Sequence, residues 1–427
     1  MRSLQAAVTV PGMGNRRVLI AGGGVGAVEA ALALRALAGT RVSIELISPY
    51  DELVYRPLAV AEPFGDSPAP RLAFARLRRT HSVEHVRDIV DAVDVRGRRV
   101  RLEDRGWLPF DDLVIAIGAR TRGWLTGSLV FRGAADVCAY RHLLDRVAGG
   151  EVRSLVFAAP EGASWPLPLY ELALLTAGWI ADRHVADMDL HLVTGEPEPL
   201  GVFGPTAARV VRDVLGDRGV RLHAGVHIES MQPGSARLRG GRALPADAVV
   251  TLPLLFGDPP RGLPADRDGF LLVDAAGAVA DAPGVWAIGD AAAHRVKHGG
   301  LATQQADAVA ARIAAAAGAP VPLPEPPELR GVLLTGVASA YLRARVDDST
   351  SNVSFTPAWS DGAKVAARHL VPYMAEEGQP QGEREALRRT ALALAQADAD
   401  GGDHESAMHW RRTAEWLAGV PDPITPR

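Results

Sequence analysis

Hydrophobic positions open the chain with an abrupt change of period. Arg17-Val-Leu-Ile-Ala21 is a continuous apolar run of strand length, broken by Gly22-Gly-Gly-Val-Gly26-Ala27. Residues from Val28 to Leu37 have helical composition, and a second apolar run, Arg41 to Ile47, follows. This strand–helix–strand pattern of about 30 residues predicts the opening of a parallel, doubly wound sheet. Short alternating runs at Val86 to Val93, Arg99 to Leu102 and Leu113 to Ile117 predict a β-meander that returns to that sheet. A second α/β unit is predicted from the strand Ser154 to Ala158, a helix over Pro168 to Ala181 and the strand Leu190 to Val193. A helix over Thr206 to Leu215 and short strands carry it to about Leu255. The loop-rich Pro259 to Asp268 marks a return, with a buried strand at Val285 to Ile288 and an Ala-rich helix over Leu301 to Ala317. Repeated prolines between Pro320 and Pro327 predict a stiff linker. Arg330 to Tyr373 reads as mixed β/α, and Glu383 to Ala418 as a helix hairpin broken at Asp400-Gly-Gly-Asp403.

Composition narrows the classes. Of 427 residues 48% are hydrophobic and 22% charged, which excludes wholesale disorder. A net charge of −4 carries no electrostatic footprint for nucleic acid. One cysteine, Cys138, excludes a disulfide scaffold, a multi-thiolate metal site and a dithiol redox centre within one chain; it is expected to be a buried small residue. Of 46 Lys plus Arg only Lys297 and Lys364 are lysines, in a composition that otherwise favours arginine. No signal-like h-region and no apolar stretch of spanning length is seen, so a cytoplasmic protein is expected, with at most peripheral membrane contact. The scattered histidines lack metal-ligand spacing, and no metal is expected.

Gly22, Gly24 and Ala27 match G-x-G-x-x-G/A between a clean strand and a clean helix. Gly22 would allow the tight turn, Gly24 a close backbone approach to a pyrophosphate, and Ala27 close helix–strand packing, with the N–H groups of Val25 and Gly26 at the helix start. The acid expected about 20 residues on, for ribose hydroxyls, is replaced by Ser48; Asp51 and Glu52 come slightly late.

Three further segments complete a resemblance. Leu108 to Ala119 ends in Ile117-Gly118-Ala119 and resembles the strand and A-T-G-like turn of the two-dinucleotide-binding-domain flavoproteins. Val285-Trp-Ala-Ile-Gly289-Asp290-Ala291 resembles their second FAD motif, and Leu53-Val-Tyr-Arg56-Pro57-Leu58 is similar to the segment that passes the flavin in type II NADH dehydrogenases and sulfide:quinone oxidoreductases. The resemblance covers roughly residues 17–375. It implies an α/β fold with two Rossmann-like domains and a C-terminal β/α segment, to which the helical composition after residue 381 adds a hairpin. The expected boundaries are a flexible N-terminus (1–15), an FAD-binding domain (16–125 and 266–320), a second Rossmann-like domain with a degenerate nucleotide site (126–265), a flavin-covering segment (326–380) and the hairpin (381–427).

The same resemblance implies site residues. Val90 joins the FAD set, as do Gly300 and Leu301 after Lys297; a lysine there would stabilise negative charge at the flavin's pyrimidine edge. Gln304 and Gln305 are similar in position to quinone-site glutamines, and Glu171 to the helix glutamate that approaches the flavin and could move a proton. Trp165 and Tyr170 could wall a substrate pocket. A second glycine fingerprint is missing: after Phe157 the chain reads Ala158-Ala-Pro160-Glu-Gly162-Ala-Ser-Trp165-Pro166-Leu-Pro168, in which prolines remove N–H donors and Glu161 adds repulsion, so NAD(P)H binding is doubtful.

The expected function is an FAD-dependent oxidoreductase passing two electrons between an unidentified donor and a quinone-like or small organic acceptor. One alternative is an NAD(P)H-dependent reductase with Glu196 as the ribose acid. Another is an FAD-stabilised binding or scaffold protein without turnover, whose C-terminal hairpin recruits a protein partner.

Overall fold

The computed structural model describes residues 15–65, 68–322, 325–336, 338–345, 351–359 and 363–375, together with Leu392, Ala395, Gln396, Met408 and Arg411. The expected flexible N-terminus, apart from Asn15, and the expected hairpin, apart from those single positions, lie outside the described residues.

The first sheet is parallel throughout, in the order Val285–Ala287, Asp112–Ile115, Arg16–Ala21, Val42–Ile47, Val83–Val86. Its central strand is buried on both faces, which explains the continuous apolar run. Val18 and Ile20 pack with the helix Val25–Ala38, whereas Leu19 and Ala21 pack with the antiparallel meander Val90–Asp94, Arg99–Leu102, Gly106–Pro109. Two expectations change here. Val86 to Val93 is not one run: Val83–Val86 joins the parallel sheet and Val90–Asp94 the meander. The helix Phe74–His81 was not predicted, because it buries only Phe74, Arg76 and Leu77 in an otherwise basic segment.

The second sheet is also parallel, in the order Leu129–Val130, Ala248–Thr251, Ser154–Ala158, Asp189–Val193, Val220–His223. Leu155, Phe157 and Leu192 pack with the helices Leu167–Asp182 and Pro205–Asp217; Val156, Ala158 and Val193 pack with the meander that begins at Ile228. Two crossing strands, Arg120–Arg122 and Leu254–Phe256, pair antiparallel where the chain passes between the units. Among the described residues no helix is long and apolar enough to cross a membrane.

The C-terminal part serves both units. The antiparallel sheet Glu328–Leu333, Ala340–Arg345, Ser351–Ser354 contributes Leu329, Val332, Leu333 and Leu342 to the second core, and residues 363–375 return to the first through Val365, Leu370 and Val371. Polar bonds hold this return. Glu29, fully buried on the first helix, accepts from the backbone N–H groups of His369 (2.9 Å) and Leu370 (2.6 Å). Tyr55 Oη accepts from Val365 N–H at 3.1 Å, and Arg76 donates to the Tyr373 carbonyl at 2.9 Å.

Burial, and then the nearby Asp307 carboxylate, raise the Glu29 pKa above its ordinary 4.5. The folded chain therefore holds a proton there that the unfolded chain has released, and stability falls as pH rises above 4.5. Glu29→Gln removes that proton. A thermal-melting series from pH 5 upward is expected to show a flatter Tm profile for the variant than for the unmodified chain; parallel profiles would remove this role.

Candidate active site

A cleft of about 1390 Å³ runs between the two units at the carboxyl ends of their strands, where ligands bind in open α/β sheets. At one end, Gly22 adopts φ +128°, and a Cβ there would lie 2.2 Å from the Ala116 carbonyl oxygen. A Cβ on Gly23 would lie 2.7 Å from Ser48 Oγ and 2.8 Å from Phe74. Both glycines line the cleft. Gly24, which caps the helix Val25–Ala38, has open space where a Cβ would be. Such a cradle fits a ligand's phosphates held by backbone N–H groups. The close helix packing falls to Gly26, whose missing Cβ would touch Ala302 at 3.4 Å, while Ala27 is simply buried.

Ser48, Arg56, Val90, Ile117, Gly118, Ala119, Asp290, Lys297 and Trp165 all line the cleft; Gly24, Val25, Gly26, Ala27, Pro57, Gly289, Gly300 and Leu301 are not among its lining residues. Ser48 Oγ accepts from Tyr50 N–H at 3.2 Å. Asp51 turns to Arg87 at 3.3 Å and does not line the cleft. The Asp290 carboxylate has no hydrogen-bond partner among the described residues; burial raises its pKa, against the pull of Lys297 and Arg56. Lys297, only 6% exposed, donates to the carbonyls of Asp290 (3.1 Å) and Ala292, and its Nζ sits 3.6 Å from the centre of the Phe270 ring. Burial lowers it to about 8, with Asp290 and Asp266 opposing.

Deeper in, Glu171 is fully buried on the helix Leu167–Asp182. Its Oε2 pairs with Lys364 Nζ at 2.7 Å, and its Oε1 accepts from Leu334 N–H at 3.0 Å. Burial raises its pKa, and Lys364 opposes the rise. Lys364 is itself 8% exposed, so both lysines of the chain are buried. His298 lies beside this pair. Burial, then the charge of Lys364, hold it down to about 3 and therefore neutral. It caps the helix Gly299–Ala316 by accepting from Leu301 N–H at 3.3 Å, and its ring packs on Trp165 with centroids 4.4 Å apart. A Cβ on Gly300 would strike that ring at 2.7 Å. Neither His298 nor the part played by Lys364 was anticipated; the rarity of lysine was the available signal.

Several expected site residues serve the scaffold instead. Tyr170 does not wall the cleft: it is fully buried and donates to Glu196 Oε2 at 2.7 Å. Gln304 binds the Gly300 and Glu328 carbonyls and the Glu328 N–H, stitching its helix to the C-terminal sheet. Gln305 Oε1 accepts from Gly289 N–H at 2.7 Å and holds the turn before Asp290. Neither glutamine lines the cleft, because both are spent on backbone groups. Leu301 packs against the second core. Cys138 is exposed, not buried.

At the second unit, Pro160, Glu161 and Gly162 also line the cleft. Pro166 and Pro168 have no N–H to offer, and the Leu169 N–H is taken by the Pro166 carbonyl at 2.8 Å. Glu161 pairs with Arg239 at 2.7 Å. Glu196 accepts from both Tyr170 and Thr194, at 2.7 and 3.2 Å, so it is already engaged within its own unit.

Residues 169–306 match the pyridine nucleotide-disulphide oxidoreductase family. The chain is 29% identical over 307 residues to an NADH dehydrogenase-like protein of Mycobacterium tuberculosis, covering 66% of this chain and 74% of that one. It is 28% identical over 335 residues to the ferredoxin–NAD(+) reductase component of the biphenyl dioxygenase system of Paraburkholderia xenovorans, covering 73% and 77%. The sulfide:quinone oxidoreductase of Aquifex aeolicus superposes with a TM-score of 0.71 at 19% identity, over 80% of this chain and 87% of that one. The family match takes in residues 169–306, and the superposition shows the shared fold of two dinucleotide-binding units; the single cysteine leaves this chain without a cysteine pair.

Removing one partner of a buried ion pair costs about 3–5 kcal/mol, whereas replacing both is often close to neutral. Lys364→Met is therefore expected to lower stability strongly in urea titrations, and Glu171→Gln with Lys364→Met to recover most of the loss. A double variant no more stable than the single one would show that the two groups are not coupled.

Proposed function

We propose that the chain is an FAD-dependent oxidoreductase that passes two electrons between a donor other than NAD(P)H and a quinone-like or small organic acceptor. The observation that carries the cofactor assignment is the single cleft that joins the glycine turn at Gly22 and Gly23 to Asp290 and Lys297. Its backbone cradle suits the phosphates, and the unengaged Asp290 carboxylate suits the polyol chain between phosphate and ring. A bound FAD would supply the redox chemistry; the protein supplies position, charge and protons.

Lys297 offers a buried cation on the cleft wall, held in place by two carbonyls and an aromatic face. Such a charge favours the electron-rich form of whatever lies against it. Glu171 and Lys364 form a buried carboxylate–ammonium pair, a place where a proton can be held at Glu171 Oε2 or Lys364 Nζ. The neutral His298 between Lys364 and Trp165 extends that polar path towards the cleft. Prolines and the internally bonded Leu169 N–H argue against a second pyrophosphate cradle.

A second reading takes its support from the relatives named for NADH and NAD(+). In it a pyridine nucleotide enters along Pro160 to Ala163, with Glu196 unavailable unless it leaves Tyr170 and Thr194.

The visible spectrum of the purified chain, supplied with FAD, separates these readings. A flavin band that persists under anaerobic NADH and NADPH and bleaches with a quinol is the expected result. Prompt bleaching by either pyridine nucleotide would establish the second reading, and failure to take up FAD would end both. Lys297→Met is expected to lower the bound flavin's midpoint potential by about 30 mV, the equivalent of about 1.4 kcal/mol for a two-electron couple. Because Lys297 loses its proton near 8, the gap between variant and unmodified chain should shrink as pH rises past that value. An unchanged potential at pH 7 would remove the assignment.

A further inference from the structure

The end of the cleft beyond Ser48 has an acid of its own. In dinucleotide-binding units the carboxylate that receives the ribose hydroxyls stands near the end of the second strand. Ser48 stands there in this chain; its Oγ already accepts from Tyr50 N–H at 3.2 Å, and it offers a ligand a neutral hydroxyl where a carboxylate would make charge-assisted bonds. The later Asp51 is turned away to Arg87.

The neighbouring strand, Val83–Val86, runs past Ser48 in parallel: Ser48 N–H donates to the Val86 carbonyl at 3.1 Å, and Arg87 reaches the Pro49 carbonyl at 3.3 Å. Adjacent strands lie about 4.8 Å apart, so the residues just beyond Val86 flank the serine's position. Among them Asp88 lines the cleft and is 4% exposed. Its carboxylate is divided in use. Oδ1 accepts from Ile89 N–H at 2.8 Å and from Asp104 N–H at 3.3 Å, which fixes the group's orientation. Oδ2 is buried with no hydrogen-bond partner, the nearest cation being Arg105 Nε at 3.8 Å. A buried acceptor left unsatisfied is costly, and a ligand's donor would relieve it.

Two large apolar side chains frame the same end. Tyr50 and Ile89 line the cleft yet are 68% and 41% exposed, unlike the fully buried apolar residues of the adjoining strands. Exposed apolar faces beside an unengaged acceptor suit a flat heterocycle that carries neighbouring hydroxyl donors.

We infer that Asp88 takes the part left vacant by Ser48: its carboxylate receives the adenosine ribose hydroxyls of the dinucleotide, with the adenine between Tyr50 and Ile89. This rests on the FAD reading, and it makes Asp88 the residue that distinguishes FAD from FMN, which lacks the adenylate half.

The test uses the full chain freed of flavin and titrated separately with FAD and FMN, following flavin fluorescence. In Asp88→Asn the ratio of FAD to FMN affinity is expected to fall about tenfold, the scale of a charge-assisted hydrogen bond. Glu103→Gln, at an exposed acid on the same stretch of the cleft, should leave the ratio unchanged. A ratio that is the same in Asp88→Asn as in the unmodified chain overturns the inference, whether or not both affinities drop, and so does a fall that follows Glu103 instead.

A measurement without any substitution guards against a variant that does not fold. ADP should displace FAD from the unmodified chain about tenfold better than 2′,3′-dideoxy-ADP, and equal displacement overturns the assignment. An unmodified chain that binds no FAD would instead sink the flavoprotein reading on which the inference stands.

Discussion

A carboxylate and an ammonium group buried together organise the junction of this molecule. Glu171 comes from the second unit's helix Leu167–Asp182 and Lys364 from the segment that returns to the first unit; the Leu334 N–H that completes the carboxylate follows directly on the strand Glu328–Leu333. Neither charge can be solvated where it lies, so each is tolerable only while the other is in place. Three segments distant in sequence must therefore arrive together. The surrounding bonds serve that requirement: Tyr55 fixes Val365 next to Lys364, Glu29 fixes His369 and Leu370 a few residues on, and Gln304 fixes the start of the C-terminal sheet.

The cleft divides its work between backbone and side chains. At the first unit the turn is shaped by what is missing: Gly22 and Gly23 have no room for a Cβ, and Gly24 leaves space above the helix end. At the far wall, side chains do the shaping. Gln305 holds Gly289, Lys297 holds the carbonyls that flank it, and His298 both caps a helix and supports Trp165. A rigid wall of this kind costs little reorganisation when charge develops beside it.

Much of the first unit was legible in the sequence, because strand, glycine turn and helix each have a local signature and they occur in an order that few folds share. The second motif at Gly289 and Asp290 was legible for the same reason. What escaped was non-local. Tyr170 and Trp165 look alike as candidate pocket aromatics, and only the arrival of Glu196 beneath one and of His298 beneath the other separates them. Gln304 and Gln305 have the residue type a ligand site would use, yet backbone groups of Gly289 and Glu328 claim them, and no local pattern encodes that claim. The helix Phe74–His81 was hidden because its buried face is only one turn deep and is flanked by arginines. Lys364 carried a compositional signal but no partner in sequence; its partner lies 193 residues away.

Burying both lysines leaves the exposed cationic surface entirely to guanidinium groups. Guanidinium keeps its proton across the whole physiological range and resists acylation, whereas an amine loses both charge and nucleophilicity to modest changes in surroundings. Acetyl transfer, isopeptide attachment and amine-directed coupling reagents thus find no accessible lysine on the folded protein. Lysine modification can therefore report on opening of the interior, while the exposed Cys138 remains a surface nucleophile.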